Sequence, residues 1–209
     1  MSKYSGVAPS RLGAPAYLTD TLVLSSFIID SLDSLLLFGM KDEYQRARDW
    51  VAGLSFDVDD KQHTFEITIR VLGGLLSAYH HSGNDKMFLD KAVDLADRLL
   101  PAFDTPSGLP LSFVNLAKRV GIPDKDNRGW TSVAEAATLQ LELKYLSELT
   151  QNPIYWQKAD KVMEIIRNQP RKDGLVPIFM SPDTGTFLFS EIRLGSRGDS
   201  YCKLLESVA

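Results

Sequence analysis

The chain has 209 residues, of which 44% are hydrophobic and 24% are charged, and its formal net charge is −4. This composition excludes a long disordered chain, and the lack of a Lys- or Arg-rich patch argues against nucleic acid as a partner. A single cysteine, Cys202, excludes an internal disulfide and is interpreted as a small, half-buried side chain.

The first forty residues contain neither of the two segments that direct proteins to or through a membrane. Residues 1–20 lack the apolar core of a secretory signal, and the apolar stretch 21–40 is interrupted by Asp30 and Asp33. Two carboxylates at the centre of a membrane span would be costly. We therefore expect a buried helix of a soluble protein at this position, with no signal peptide and no transmembrane span.

Hydrophobic residues recur at helical spacing along most of the chain, which predicts an all-α protein. Good N-cap residues support two of the boundaries, Asp85 in one case and Thr131 or Ser132 in the other. The predicted helices lie at 19–39, 41–53, 64–82, 86–101, 131–149, 153–168 and 198–207. Residues 105–130 are predicted to form a long loop, and residues 176–192 a short β-hairpin.

A weak internal repeat groups these helices in pairs. Three segments that begin near residues 39, 82 and 150 share a turn, an aromatic residue, a basic residue and an alanine, and each opens an amphipathic helix that follows a more apolar one. The pattern predicts helical hairpins with an apolar inner and an amphipathic outer helix. Stacked hairpins of this kind form either a solenoid or a closed barrel of two helical rings.

The apolar helix predicted at 64–82 carries a narrow polar stripe. Glu66, Arg70 and Ser77 fall on one side at spacings of three and four residues, together with Gly73 and Gly74. The other sides are apolar, and burying a lone carboxylate costs several kcal/mol, on the order of the whole stability of a domain. We therefore predict that the stripe faces a water-filled cavity, which the glycines leave room to enter.

Other apolar helices carry acids as well, which predicts one shared acidic cavity. These acids are Asp30, Asp33, Glu135, Glu142 and Asp199. Each has a purely structural alternative, because a Glu–Arg pair four residues apart is commonly an ion pair and an Asp at a helix start is commonly a cap. As a functional site, such a cavity would suit either inverting glycoside hydrolysis or calcium binding.

Several long segments resemble successive blocks of glycoside hydrolase family 47, the class I α-1,2-mannosidases of N-glycan processing. The resemblance runs in family order from about residue 28 to residue 201, through residues 65–83, 97–115, 131–150, 173–185 and 194–201. It implies a divergent N-terminal segment at 1–27, followed at 28–209 by an incomplete (α/α)7 barrel of helical hairpins. It also implies a calcium ion and the substrate sugar in the bore.

The resemblance assigns roles to five residues. It implies that Glu66 is the acid-side glutamate, which donates a proton through a water, and that Asp199 is a second active-site carboxylate. Both are therefore predicted to be catalytic. Arg70, Glu135 and Arg197 are predicted to bind the substrate.

Family members continue beyond the point where this sequence stops, so the resemblance implies an N-terminal-half fragment. The further part carries another catalytic glutamate, the threonine that holds calcium and the helices that close the barrel, and no metal ligand is assigned within this chain. We expect little turnover by the isolated chain, and a partner or self-association that covers the open barrel edge. Within the chain, Leu111 and Phe113 stand where the family usually has Tyr and Asp.

The predicted function is an inverting α-1,2-mannosidase that trims mannose from high-mannose N-glycans, in the lumen or membrane of the endoplasmic reticulum or Golgi. The alternative is a catalytically dead module that binds mannose glycans or acts in glycoprotein quality control. A helical-repeat scaffold without a sugar site is disfavoured, because a scaffold would not need acids such as Glu66 and Asp199 on its apolar helices.

Overall fold

The computed structural model describes residues 26–170 and 175–201, and it is mainly helical. Helical residues 26–30 lead into the first complete helix, and residues 199–201 begin the last. The α-helices are α1 (Leu32–Leu37), α2 (Lys41–Ala52), α3 (Thr64–Glu66), α4 (Gly73–His81), α5 (Lys86–Leu99), α6 (Val133–Thr138), α7 (Gln140–Thr150) and α8 (Pro153–Arg167). A π-helical segment, Ile67–Leu72, joins α3 to α4, and 3-10 turns occur at Leu100–Phe103 and Lys125–Asn127.

The mainly helical prediction is confirmed, and the proposed caps act as expected. Asp85 accepts a hydrogen bond from the amide of Met87 at 3.1 Å, and the Ser132 hydroxyl accepts one from the amide of Glu135 at 3.3 Å. The helix predicted at 131–149 is divided at Leu139, between α6 and α7. Residues 19–25 of the first predicted helix, residues 202–207 of the last, and Cys202 lie outside the described residues.

Short strands hold the loops against the helices. The strands β1 (Gln62–His63), β2 (Phe113–Asn115) and β3 (Val120–Ile122) form an antiparallel sheet in that order, and β4 (Thr131–Ser132) pairs with β5 (Phe179–Met180). The prediction of an irregular loop at 105–130 was therefore wrong, because it missed β2 and β3. The predicted hairpin is confirmed in a short form, as an antiparallel bridge from Met180 to Phe187.

Neighbouring helices pack as hairpins around one apolar core. α4 contacts α1 and α5, and α7 contacts α8. The approach to α4 depends on a glycine, because a Cβ at Gly74 would lie 2.8 Å from the carbonyl oxygen of Ile29. A Cβ at Gly73 would lie 3.5 Å from its nearest neighbour, Oε1 of Glu142. This second glycine therefore leaves the face of α4 open to a side chain from α7.

Some large apolar side chains remain exposed around α1 and at the ends of loops. Phe38 is 81% exposed, Leu37 is 70% exposed and Leu194 is 73% exposed. None of the helices within the described residues is long and apolar enough to cross a membrane. That a partner or a second copy covers an open edge stays a prediction, as does the division of the chain at residues 27 and 28.

Candidate active site

Glu66 lies at the end of α3, and a three-member ion-pair network holds its carboxylate. Arg70 donates through Nε to Oε2 of Glu66 at 2.7 Å, and its Nη1 lies 3.5 Å from Oδ2 of Asp30, which belongs to the helical residues 26–30 at the start of the described chain. All three side chains are close to half exposed. Glu66 and Arg70 therefore do form the ion pair that was the purely structural interpretation of their spacing, and Asp30 from a second helix joins this pair.

The π-helical segment between Glu66 and Gly73 contains Arg70. π-Helical turns inside α-helices are rare and occur often at functional sites. At its start, the hydroxyl of Thr64 bonds to the carbonyl of Leu111 at 2.9 Å, and the hydroxyl of Thr68 bonds to the carbonyl of Thr64 at 2.8 Å. Both threonines are buried, so these bonds fix the entry to the segment that presents Glu66 and Arg70.

Further along the same stripe, two more acids meet α4. Ser77 donates to Oδ2 of Asp33 at 2.7 Å. Burial raises the pKa of Glu142 to about 7, and within the described residues its buried Oε2 has no hydrogen-bond partner. Acids from the first helix and from α7 therefore converge on the glycine stripe, at a pocket of about 360 Å³ lined by Gly73, Leu76, Ser77, His80, His81, Leu141, Glu142 and Tyr145.

Glu135 lies in the first turn of α6, where a loop from the end of the described chain is bound to the helix. The carbonyl of Arg197 accepts hydrogen bonds from the amide of Ala134 at 3.0 Å and from the hydroxyl of Ser132 at 3.4 Å. Ser132 is fully buried. These contacts place Arg197 beside Glu135, although the two residues are distant in sequence.

Glu135 shares its electrostatic environment with residues of β1, of α3 and of the loop 191–198 that carries Arg197, the Arg197 loop. Burial raises the pKa of Glu135, whereas the nearby charges of His63 and Arg197 act to lower it. The field of Glu66 is among the charges that raise the pKa further. Nε2 of His63 lies 3.9 Å from Oε2 of Glu135. Glu66, Glu135 and Arg197 are thus brought to one region, as the prediction of a shared acidic cavity requires.

The Arg197 loop also lines a pocket beside Phe179. Arg197 has a positive φ of 74°, and its guanidinium lies 5.0 Å from the centre of the Phe179 ring. The pocket has a volume of about 520 Å³, and its lining residues include Arg197, Phe179, Trp130 and Glu191. Aromatic faces next to arginines and acids are suited to the alternating C–H and hydroxyl surfaces of a sugar.

Asp199 lies at the start of the last helical residues, two positions beyond Arg197. Its side chain is exposed, and Oδ1 accepts a hydrogen bond from the amide of Ser200 at 2.9 Å. Its own amide donates to the carbonyl of Gly195 at 2.9 Å. Since Arg197 is bound to the start of α6, Asp199 is tethered to the same end of that helix as Glu135.

The family model for glycosyl hydrolase family 47 matches residues 9–209, which is nearly the whole chain. The chain belongs to glycosyl hydrolase family 47. Two curated family 47 relatives are the mannosyl-oligosaccharide 1,2-alpha-mannosidase of Candida albicans, 52% identical over 183 residues, and the endoplasmic reticulum mannosyl-oligosaccharide 1,2-alpha-mannosidase of Schizosaccharomyces pombe, 49% identical over 182 residues. The alignments cover 87% and 85% of this chain but only 32% and 34% of these relatives.

A solved family 47 structure supports the same assignment. The alpha-1,2-mannosidase from Trichoderma reesei aligns with a TM-score of 0.77 and 33% sequence identity, over 87% of this chain and 41% of that chain. The likeness confirms the predicted fold class, part of an (α/α)7 barrel of helical hairpins. The chain spans about a third of the length of the curated relatives that it matches.

The calcium ion implied by family 47 membership does not fit the residues described. Within residues 26–170 and 175–201, no three His, Cys, Asp or Glu side chains form a group that could hold a metal ion. Calcium needs six to eight oxygen ligands, whereas Glu66 and Asp30 are paired with Arg70 and Asp33 accepts from Ser77.

Sequence reasoning missed Trp130, Phe179 and His63 as side chains near the site. Trp130 and Phe179 have ring centres 5.8 Å apart, and the His63 ring lies 5.0 Å from that of Phe113. Phe113 also lies under the ammonium group of Lys61, 3.6 Å from the ring centre. The position of His63 in the sequence, just before the helix that carries Glu66, could have indicated that it lies near the site, since His63 is the N-cap of α3.

Proposed function

We propose that this chain carries part of the active site of an α-1,2-mannosidase, which removes terminal mannose from high-mannose N-glycans with inversion at the anomeric carbon. The observation that carries the proposal is the convergence of Glu66, Glu135 and Arg197 from three separate segments on one region. A family 47 scaffold with this arrangement provides part of the set of acids and cations that hydrolysis of a glycosidic bond requires.

An inverting glycosidase uses one acid to protonate the leaving oxygen and one base to activate water on the other face of the sugar. We assign the acid side to Glu66. Its Oε2 accepts a hydrogen bond from Arg70 at 2.7 Å, which fixes the position of the carboxyl group from which a proton would pass to the leaving oxygen through a water. Asp199 supplies the second carboxylate, because its side chain is exposed beside Arg197.

Arg70, Glu135 and Arg197 are assigned to substrate binding. The two arginines offer planar sets of N–H donors to sugar hydroxyls, and a carboxylate such as Glu135 accepts hydrogen bonds from them. The aromatic wall formed by Trp130 and Phe179 would pack against the C–H face of a neighbouring mannose in the pocket beside Arg197. Calcium remains the family expectation for the whole enzyme, without a ligand set among the described residues.

A mannose-glycan-binding module without catalysis is the second candidate. The network of Arg70 with Glu66 and Asp30 favours it, because this network satisfies the carboxylate of Glu66 without any chemistry. For either function we propose a compartment of the secretory pathway, the endoplasmic reticulum or Golgi, where high-mannose glycans occur. The names of the Schizosaccharomyces and Saccharomyces relatives refer to the endoplasmic reticulum.

The proposal is tested by incubating the purified chain with a fluorescently labelled high-mannose glycan, with calcium and with a chelator. We expect binding of the glycan and slow formation of a mannose-shortened product, at the low turnover predicted for the isolated chain, with the released sugar appearing first as the β anomer in ¹H NMR spectra. Binding of the glycan without any release over long incubation would favour the binding module. Neither binding nor release would contradict both functions for this chain.

A further inference from the structure

His63 lies between the two glutamates of the site, and its ring is fixed on both sides. The ring centre is 5.0 Å from that of Phe113 and 6.3 Å from that of Phe65, with both contacts edge-on. Strand pairing adds a further restraint, since His63 in β1 is opposite Phe113 in β2. The imidazole therefore has a defined orientation, with its two nitrogens directed to different helices.

The two nitrogens have different partners, and these partners select the tautomer. Nδ1 accepts a long hydrogen bond, 3.5 Å, from the backbone amide of Glu66 at the start of α3. A nitrogen that accepts from an N–H carries a lone pair, so in the neutral ring the proton is on Nε2. Nε2 lies 3.9 Å from Oε2 of Glu135, on α6.

We propose that His63 is a positioning residue for this site, which joins the start of the Glu66 helix to the carboxylate of Glu135 through opposite sides of one imidazole ring. The role rests on the proposed function, since it makes Glu135 a ready acceptor for a sugar hydroxyl. Nε2–H faces Oε2 of Glu135 across 3.9 Å, so the ring acts on this oxygen by electrostatic attraction and not by a direct hydrogen bond. Through Nδ1, it fixes the first turn that carries Glu66.

Other charged groups around His63 come from each neighbouring segment. Lys61 lies just before His63 and over Phe113, and Arg197 comes from the loop bound to α6. Asp124 adds negative charge near Glu135, and this charge raises the pKa of Glu135. A positive charge on the His63 imidazole would lower the pKa of Glu135, as the charge of Arg197 does. Removal of the imidazole should therefore leave Glu135 protonated to a higher pH.

The test is a ¹³C NMR titration of the Glu135 side-chain carboxyl in the full chain, assigned by its loss in Glu135→Gln. In the wild type, the Glu135 carbon should show a second inflection at the pH where the His63 imidazole protons titrate. In His63→Asn the pKa of Glu135 should rise, while the asparagine oxygen still caps α3. His81→Asn is the matched control, an exposed histidine at the end of α4, and should leave Glu135 unchanged.

Two results would overturn the proposal: a wild-type Glu135 curve without the His63 inflection, or a Glu135 pKa in His63→Asn equal to that of the wild type. His63→Phe keeps the aromatic packing and has no nitrogen, so it should raise the pKa of Glu135 as His63→Asn does. The wild-type titration alone decides the matter if neither variant folds. Because no sugar is present, a failure of mannose release would not change these results.

Discussion

Glu66→Gln is expected to lower the rate of mannose release by about 10²- to 10⁴-fold, the range that a positioned general acid contributes. Glutamine keeps an oxygen that can accept the 2.7 Å hydrogen bond from Arg70, so the helical network stays in place. It cannot pass a proton to the leaving oxygen, directly or through a water. The loss should therefore appear in kcat, with glycan affinity retained within a few-fold.

The measurement is the initial rate of shortening of the labelled glycan, with binding of the same glycan measured separately. Glu148→Gln is the control, because Glu148 is exposed on α7 and should leave the rate unchanged. Thermal unfolding of both variants should match that of the wild type. An active Glu66→Gln enzyme would remove Glu66 from the mechanism, and an equal loss in Glu148→Gln would show that the effect is not specific.

Glu142→Met is expected to make the protein more stable at pH 8 and to flatten the pH dependence of its stability. Burial raises the pKa of Glu142 to about 7 from an ordinary value of 4.5. Between these two pH values the unfolded chain loses the proton while the folded chain keeps it, so stability falls as the pH rises. The free energy of unfolding is therefore lowered by about 3 kcal/mol above pH 7, and it is not lowered below pH 4.5.

Urea unfolding at pH 4 and at pH 8 measures this effect. The difference between Glu142→Met and wild type should grow by up to about 3 kcal/mol from the lower to the higher pH, whatever the methionine adds through packing at both. Glu148→Met, on the exposed side of α7, should show no such growth. Parallel pH profiles for Glu142→Met and the wild type would mean that Glu142 is already ionised in the folded protein.

The helices were predictable because their signals are local. Apolar spacing gave the helical segments, and the short side chains of Asp85 and Ser132 marked two starts that the hydrogen bonds confirm. The strands could not be predicted in the same way. β1, β2 and β3 have two or three residues each, and they exist because His63 pairs with Phe113 and Phe113 with Ile122 across long loops.

The candidate site was predictable where its contacts follow helix geometry. The pair of Glu66 and Arg70 followed from a spacing of four residues, and the hydrogen bond between them is present. The link from Arg197 to α6 and the approach of His63 to Glu135 are tertiary contacts, which no periodicity in the sequence reveals. The π-helical segment was missed as well, since its residues have the same apolar pattern as an α-helix.

We propose that acids and arginines from separate helices and from the Arg197 loop form one site for a terminal mannose. The most direct test is a map of backbone amide shifts in the ¹⁵N-labelled chain on addition of α-1,2-mannobiose. We expect changes at Glu66, Glu135, Arg197 and Asp199, with α8 unaffected. Changes confined to α8 or to the exposed side of α7, or no change at millimolar disaccharide, would contradict it.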